Sequence, residues 1–167
     1  MFPEMLDCKE FINADEIAKG LSPFQPETVA IDAGRLMIMR MNELMRMQED
    51  FAIETTLATK SYANFIRRAQ KEGYFVTLIY FWLESPELAI RRVEQRVRFG
   101  GHHVDDDVVV RRYYAGMKNL FSMFVPIADY WLLVDNSTDP FQIIAEGNKT
   151  KIIDIYDEDI FYYLRSI

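Results

Sequence analysis

The sequence predicts an α/β fold with a mainly parallel sheet flanked by helices and a β-hairpin at the C-terminal end. Short apolar segments with strand character alternate with longer segments of helical periodicity, the order typical of βα units. Residues 74–83 are almost continuously apolar, aromatic or β-branched, which indicates a strand covered on both faces. Residues 141–145 and 151–155 flank a Glu-Gly-Asn-Lys turn, which predicts the hairpin.

The first two predicted strands each end close to a carboxylate. Residues 10–13 form the first strand and residues 51–54 the second. Asp15 follows the first strand directly, and Glu54 ends the second with Thr55 beside it. Ligands of open parallel sheets bind at the carboxyl ends of the strands, so these side chains are candidate site residues. The alternative for Asp15 is a helix cap, a role that Asp fills readily.

The remaining elements follow from apolar spacing and from residues that begin or end helices. Pro26 opens a helix that runs to about residue 48, and Gly73 closes the next helix. Ser85-Pro86 begins a third, and the acidic residues 105–107 begin a fourth that ends near Pro126. A further apolar strand covers residues 130–134.

Residues 91–119 concentrate positive charge around the Gly100-Gly101 break. The basic residues there are Arg91, Arg92, Arg96, Arg98, Arg111, Arg112 and Lys118. A guanidinium presents a planar fork of donors that matches two phosphate oxygens at once. We therefore expect a lid that closes over phosphate. The alternative is a solvated helical face whose charges pair with neighbouring carboxylates such as Glu94.

Composition excludes several classes of protein. With 167 residues, half of them apolar, the chain is expected to form one domain over residues 1–167 with a substantial core. No apolar run approaches the ~20 residues of a membrane span. One cysteine, Cys8, excludes an internal disulfide and predicts a reducing, cytoplasmic location. Two adjacent histidines and one distant cysteine predict no metal site, and the net charge of −7 argues against nucleic acid as a partner.

Five short motifs, in this order, resemble the zeta-toxin-like kinases. They are FINADEIA, LSPF, IETT, RVR-x-GGH-x-V and WLLVDNS, and the resemblance spans about residues 3–137. These kinases are P-loop phosphotransferases, some of which phosphorylate a nucleotide sugar. The resemblance implies that Asp15 accepts the proton of the substrate hydroxyl and that Arg96 and Arg98 neutralise the transferring phosphate. It implies substrate-binding roles for Glu54, Thr55, Arg112 and His102.

The Gly-x-x-x-x-Gly-Lys-Ser/Thr loop of that family does not occur in this sequence. Seven glycines are scattered along the chain, and none directly precedes a Lys-Ser or Lys-Thr pair. We therefore expect a kinase-like fold that lacks the family's first strand, its P-loop and most of its first helix. ATP or GTP with Mg²⁺ would serve the complete protein, and no nucleotide is expected on this chain. A misassigned start codon, a shortened chain and a degenerate gene all account for this pattern.

Two functions from different classes follow. The first is a kinase of a small-molecule phosphate acceptor, inactive as this chain. The second is a non-catalytic remnant that binds a phosphorylated metabolite or a protein partner, such as an antitoxin-like protein. A third, a nucleic-acid-binding module, is disfavoured by the acidic balance.

The missing first strand also leads to a prediction about strand pairing. Without it, we expect the strand at residues 51–54 to pair directly with the strand at residues 74–83, because unpaired buried backbone groups are costly. The alternative is that the hairpin, or a second copy of the chain, fills the space between them.

Overall fold

The computed structural model describes residues 8–101, 103–149 and 151–167. The chain divides into two compact units. Unit 1 contains residues 1–55 and 99–102, and unit 2 contains residues 56–98 and 103–167.

Unit 1 is built on a pair of short parallel strands, β1 (Glu10–Ile12) and β2 (Phe51–Ile53). The connection between them is helical: α1 (Ala14–Leu21), a 3₁₀ turn (Pro26–Val29) and α2 (Ala30–Met47). Parallel strands require such a crossover, because the chain must return to the start of the sheet before it can run in the same direction again. A tight turn joins only antiparallel strands. The buried side chains of this unit are apolar and recur along α2 at helical spacing; they include Ala33, Met37, Met41 and Leu44.

Unit 2 contains a four-stranded sheet with the order β3-β4-β5-β6. The strands are β3 (Thr77–Trp82), β4 (Tyr130–Asp135), β5 (Gln142–Asn148) and β6 (Lys151–Ile155). β3 and β4 are parallel, and the β5–β6 hairpin adds two antiparallel pairings. The predicted α/β class and C-terminal hairpin are confirmed.

Four of the helices in the described residues belong to unit 2. They are α3 (Ser61–Lys71), α4 (Pro86–Arg98), α5 (Asp106–Asn119), which continues as a π-helical segment (Leu120–Phe124), and α6 (Glu158–Ser166). α6 was not predicted from the sequence, although its segment carries clear helix signals. Asp157 caps it by accepting a hydrogen bond from the Ile160 N–H at 2.9 Å, and Phe161 and Leu164, three residues apart, are buried.

The core of unit 2 forms where β4 meets α6. Trp131 stacks on Phe161 with ring centroids 6.5 Å apart, and Phe121 packs edge-on against the same ring. The indole N–H of Trp131 donates to the Lys149 carbonyl at 2.8 Å. The indole also lies over Gly147, where an added Cβ would come within 2.3 Å of the ring. Glycine at this position is therefore a requirement of the packing.

The predicted pairing of residues 51–54 with residues 74–83 is wrong. β2 pairs with β1, with Ile12 opposite Ile53, and β3 pairs with β4. The hairpin does not fill a place beside β3 either, since β5 occupies the other edge of β4. The error has a physical cause: residues 10–12 are enough to give β2 a parallel partner, which the prediction did not consider.

Within the described residues, none of the helices is both long enough and apolar enough to cross a membrane. The predictions of a single domain and of a lid at residues 91–119 stay predictions.

Candidate functional site

The carboxyl ends of β1 and β2 bring two polar side chains together in unit 1. Asn13 follows β1 and Glu54 follows β2, so the parallel register places both at the same edge. The Glu54 N–H donates to the Ile12 carbonyl at 3.3 Å, which extends the ladder by one residue. The Asn13 side-chain amide, Nδ2, then donates to Glu54 Oε2 at 2.7 Å. This edge is the one at which ligands of parallel sheets bind.

Asp15 lies in the first turn of α1, and its side chain is exposed. The cap of this helix is Asn13, whose Oδ1 accepts hydrogen bonds from the N–H groups of Asp15 and Glu16 at 2.8 and 3.4 Å. The alternative that Asp15 itself is the cap is therefore wrong. Asp15 instead presents its carboxylate from the positive end of the helix, where a negative charge is favoured. The structure brings Asn13, Asp15 and Glu54 to one edge, and Thr55 follows half-buried.

An open cavity of about 420 Å³ lies beside this edge in unit 1. Its lining comprises Glu10, Phe11, Ile12, Asn13, Glu16, Ile17 and Arg40. Arg40 donates to Glu10 Oε2 at 2.9 Å and to Glu43 Oε2 at 2.8 Å. These hydrogen bonds, that to Glu10 first, raise the pKa of Arg40 above its ordinary value. The Arg40 guanidinium is therefore paired with the carboxylates of Glu10 and Glu43. Sequence reasoning missed it, because no local pattern links residues 10 and 40.

The predicted arginines lie in unit 2. Arg96 and Arg98 occupy the last turn of α4 and Arg112 lies on α5, and all three side chains are exposed. The cations of Arg96 and Arg98 are favourably placed at the negative end of α4. Gly100 has a φ of +85°, a backbone conformation that favours glycine and explains the break after α4. His102 lies outside the described residues. The candidate carboxylates and the candidate arginines therefore belong to different units.

The segment that follows Glu54 and Thr55 is fixed in unit 2 by α5. Asn119, only 6% exposed, donates from Nδ2 to the Leu57 carbonyl at 2.8 Å and to the Ala58 carbonyl at 3.4 Å. Leu57 is itself buried and has a φ of +56°, which costs a non-glycine residue roughly 1–2 kcal/mol. At Gly116 an added Cβ would lie 2.5 Å from the Thr56 carbonyl oxygen. A buried Asn on an otherwise apolar helix face was the available sequence signal.

The carboxyl ends of β3 and β4 form a second edge, within unit 2. Asp135 Oδ1 accepts from the Ser137 N–H at 2.8 Å and from the Ser137 hydroxyl. Ser137 Oγ accepts from the Glu84 N–H at 2.8 Å, which joins the two strand ends. The Tyr113 hydroxyl donates to the Leu83 carbonyl at 2.7 Å, and burial raises the pKa of Tyr113 to about 12. These polar groups bind one another.

The described residues contain neither a cluster of metal-ligating side chains nor a P-loop motif. No group of three or more His, Cys, Asp or Glu side chains among them is arranged to hold a metal ion. The sequence contains no P-loop motif that could surround a triphosphate with amides and a lysine. What the described residues do provide is two exposed carboxylates at one strand edge, Asp15 and Glu54, which can accept hydrogen bonds from hydroxyl groups, and exposed guanidinium groups, which can bind anions.

Comparison with known proteins gives a family and a fold. The model of the Zeta toxin family matches residues 7–155. An uncharacterized protein of Haemophilus influenzae is 32% identical over 102 residues, which cover 61% of this chain and 73% of that protein.

A solved structure shares the fold. It is a chain from the PezAT chromosomal toxin–antitoxin system of the human pathogen Streptococcus pneumoniae, with a TM-score of 0.58 and 16% sequence identity. The match covers 84% of this chain and 62% of that one, so this chain spans less than two thirds of the solved protein's length.

Proposed function

Because this chain belongs to the zeta toxin family, we propose that it is the acceptor-binding part of a phosphotransferase that acts on a small molecule. The resemblance of its motifs makes a nucleotide sugar the proposed class of acceptor. The observation that carries the proposal is the edge of unit 1, where Asn13 joins Glu54 to the start of the helix that presents Asp15. Phosphoryl transfer asks a protein mainly for positioning and charge neutralisation, and this edge offers groups for the positioning.

Each residue has a role in this proposal. The Asp15 carboxylate accepts the proton of the attacking hydroxyl, a contribution of ~10²–10⁴-fold for a general base. Glu54 accepts a hydrogen bond from a neighbouring hydroxyl of the acceptor, and Thr55 adds a polar contact. Arg96, Arg98 and Arg112 bind anionic oxygens through their guanidinium forks, and His102 is a further proposed contact.

Binding of the phosphate donor is proposed separately from binding of the acceptor. ATP or GTP with Mg²⁺ would be the phosphate donor of the complete protein, and we propose that this chain binds neither tightly. The amides and lysine of a P-loop supply most of the charge stabilisation around the β- and γ-phosphates, and the sequence contains no such motif.

A protein partner is the second candidate. The structural neighbour comes from a toxin–antitoxin system, which makes an antitoxin-like protein the partner to test. Unit 1 also exposes large apolar side chains that suit a protein surface, with Phe24 96% and Ile31 75% exposed.

Calorimetry on the full 167-residue chain separates these functions. The ligands are magnesium ATP and a panel of UDP-, GDP-, CDP- and ADP-sugars. We expect binding of at least one nucleotide sugar, weakened by Glu54→Ala and unchanged by Glu158→Ala, an acidic residue in the first turn of α6. Micromolar affinity for ATP would refute the proposal about the donor side. No binding across the panel would favour the protein partner.

A further inference from the structure

We propose that Asn13 is a positioning residue for the candidate site, because its side-chain amide binds the Glu54 carboxylate and also caps the helical turn that carries Asp15. This inference rests on the proposed function, since it assigns Asn13 to the same acceptor site. It goes further in naming a residue that none of the site predictions included.

The contacts of Asn13 run in two directions. Nδ2 donates to Glu54 Oε2 at 2.7 Å, across 41 residues of sequence. Oδ1 accepts from the N–H groups of Asp15 at 2.8 Å and Glu16 at 3.4 Å. These partners determine the amide orientation, since a flipped side chain would set its NH₂ against two N–H donors and its carbonyl against a carboxylate.

The link to Glu54 determines which carboxylate oxygen meets the substrate. Glu54 is exposed and lies one residue beyond β2, where a glutamate side chain would otherwise sample several rotamers. A hydrogen bond to a charged group is stronger than one between neutral groups. Here the bond from Asn13 holds Glu54 Oε2 next to the residue that follows β1. An acceptor hydroxyl would then be received by Oε1, in an orientation set by the Asn13 amide.

The hydrogen bond from the Asp15 N–H to Asn13 determines where α1 begins. Oδ1 holds the first N–H groups of α1, so the turn that carries the Asp15 carboxylate begins at a fixed place relative to β1. Asn13, a short side chain with two rotatable bonds, thereby ties the turn that carries Asp15 to the Glu54 carboxylate. Preorganisation of this kind matters because a small displacement of a reacting group costs a large factor in rate.

Two substitutions separate positioning from capping. Asp and Ser both cap helices well, but an ionised Asp has no donor, and Ser has one hydroxyl in place of the separate donor and acceptor atoms of the amide. Only Asp adds a negative charge beside Glu54. Asn13→Asp and Asn13→Ser should therefore keep α1 intact. The readout is the backbone amide spectrum of Asp15 and Glu16 together with the thermal unfolding midpoint. Asp157→Asn, which exchanges the capping residue of α6, is the matched control.

The functional readout is calorimetry with the UDP-, GDP-, CDP- and ADP-sugar panel on the full chain. We expect both Asn13 variants to lose ~10-fold in affinity for the nucleotide sugar, the lower end for a hydrogen bond to a charged group, while Asp157→Asn keeps wild-type affinity. Asn13→Gln, which retains an amide but lengthens the side chain, should not restore affinity. Wild-type affinity in Asn13→Ser and Asn13→Asp would overturn the positioning role and leave Asn13 as a cap.

A direct test of the contact keeps this inference distinct from the proposed function. Glu54→Gln should shift the side-chain NH₂ resonances of Asn13 in the wild-type fold. No shift would show that the contact is absent in solution and would overturn the inference whatever the ligand. A shift accompanied by no nucleotide-sugar binding in the wild-type chain would instead overturn the proposed function and, with it, the acceptor role of Asn13.

Discussion

The two parallel strand pairs in the described part of the chain differ in how the polar groups at their carboxyl ends are used. In unit 2, Asp135, Ser137 and the Glu84 N–H satisfy one another across the ends of β3 and β4. In unit 1, Asn13 bonds to Glu54 and to the start of α1, and the carboxylates of Glu54 and Asp15 remain exposed. One edge is therefore a structural junction, and the other presents charge to solvent.

The difference follows the size of the strands and their cores. β3 and β4 are six residues long and pack on a core that includes Trp131 and Phe161, whereas β1 and β2 have three residues each. A long buried pair can close its end with its own polar groups. A short pair near the surface leaves its terminal carboxylates exposed. The same strand-end pattern in sequence therefore gives a closed junction in unit 2 and exposed carboxylates in unit 1.

The largest expected effect is on chemistry at the edge of unit 1. In this chain joined to a P-loop segment from a complete family member, Asp15→Asn should lower kcat by ~10²–10⁴-fold, because it removes the proton acceptor and keeps the shape. The measurement is phosphate transfer to the nucleotide sugar. Asp32→Asn, in the first turn of α2, is the matched control and should leave kcat unchanged. Full turnover in Asp15→Asn would reduce Asp15 to a favourable charge at a helix start.

The next effect is on the core of unit 2. Gly147→Ala should lower the free energy of unfolding by about 3 kcal/mol, because its Cβ would lie 2.3 Å from the Trp131 ring and 2.5 Å from the Lys151 carbonyl oxygen. The urea midpoint measures this change. Gly34→Ala in α2 is the control: nothing lies within 4 Å of its Cβ, so the substitution should stabilise the protein by about 0.5–1 kcal/mol. Equal changes in the free energy of unfolding for Gly147→Ala and Gly34→Ala would contradict the close packing at Gly147.

A third, smaller effect concerns the segment after Glu54. Asn119→Ala should cost about 2 kcal/mol, because it removes the buried donor that holds the Leu57 and Ala58 carbonyls. Hydrogen exchange at residues 56–58 should accelerate in parallel. Asn64→Ala, an exposed position on α3, should change neither quantity. Unchanged exchange in Asn119→Ala would show that Gly116 packing alone holds the segment.

The smallest effect is the pH dependence of the β4–β5–β6 face. Tyr130 and Tyr156 both donate to the Glu146 carboxylate, and these bonds, that of Tyr130 first, lower the pKa of Glu146. This stabilisation is present above the ordinary pKa of a glutamate and is lost as pH falls through the lowered one. The bond to Glu146 and burial raise the pKa of Tyr130 to about 12, so its contribution is present below pH ~10 and is lost as pH rises through 12.

Unfolding midpoints of Glu146→Gln and of the wild type, measured across pH, check this dependence. The two curves should differ least at acid pH, where the wild-type carboxylate is protonated. A constant difference across the acid range would contradict the lowered pKa of Glu146.

The sequence alone predicted the fold class, the hairpin and the family. Apolar continuity in residues 74–83 and 130–134 identified the strands that the structure shows as β3 and β4, because buried parallel strands need apolar side chains on both faces. Asp15 and Glu54 were found because they follow strand ends. Asn13 was not predicted as a site residue although it lies in the motif FINADEIA, since nothing local in the sequence shows that its amide reaches Glu54.

Tertiary structure decided which strands pair and which polar side chains meet. β2 pairs with β1 and not with β3, a choice that depends on how α1 and α2 return the chain, although residues 74–83 are the more apolar segment in sequence. The bond from Asn13 to Glu54, like that from Asn119 to Leu57, joins residues far apart in the chain. Hydrophobic periodicity is set by neighbours along the chain, whereas a hydrogen bond requires two atoms within about 3 Å, which only the folded backbone brings about.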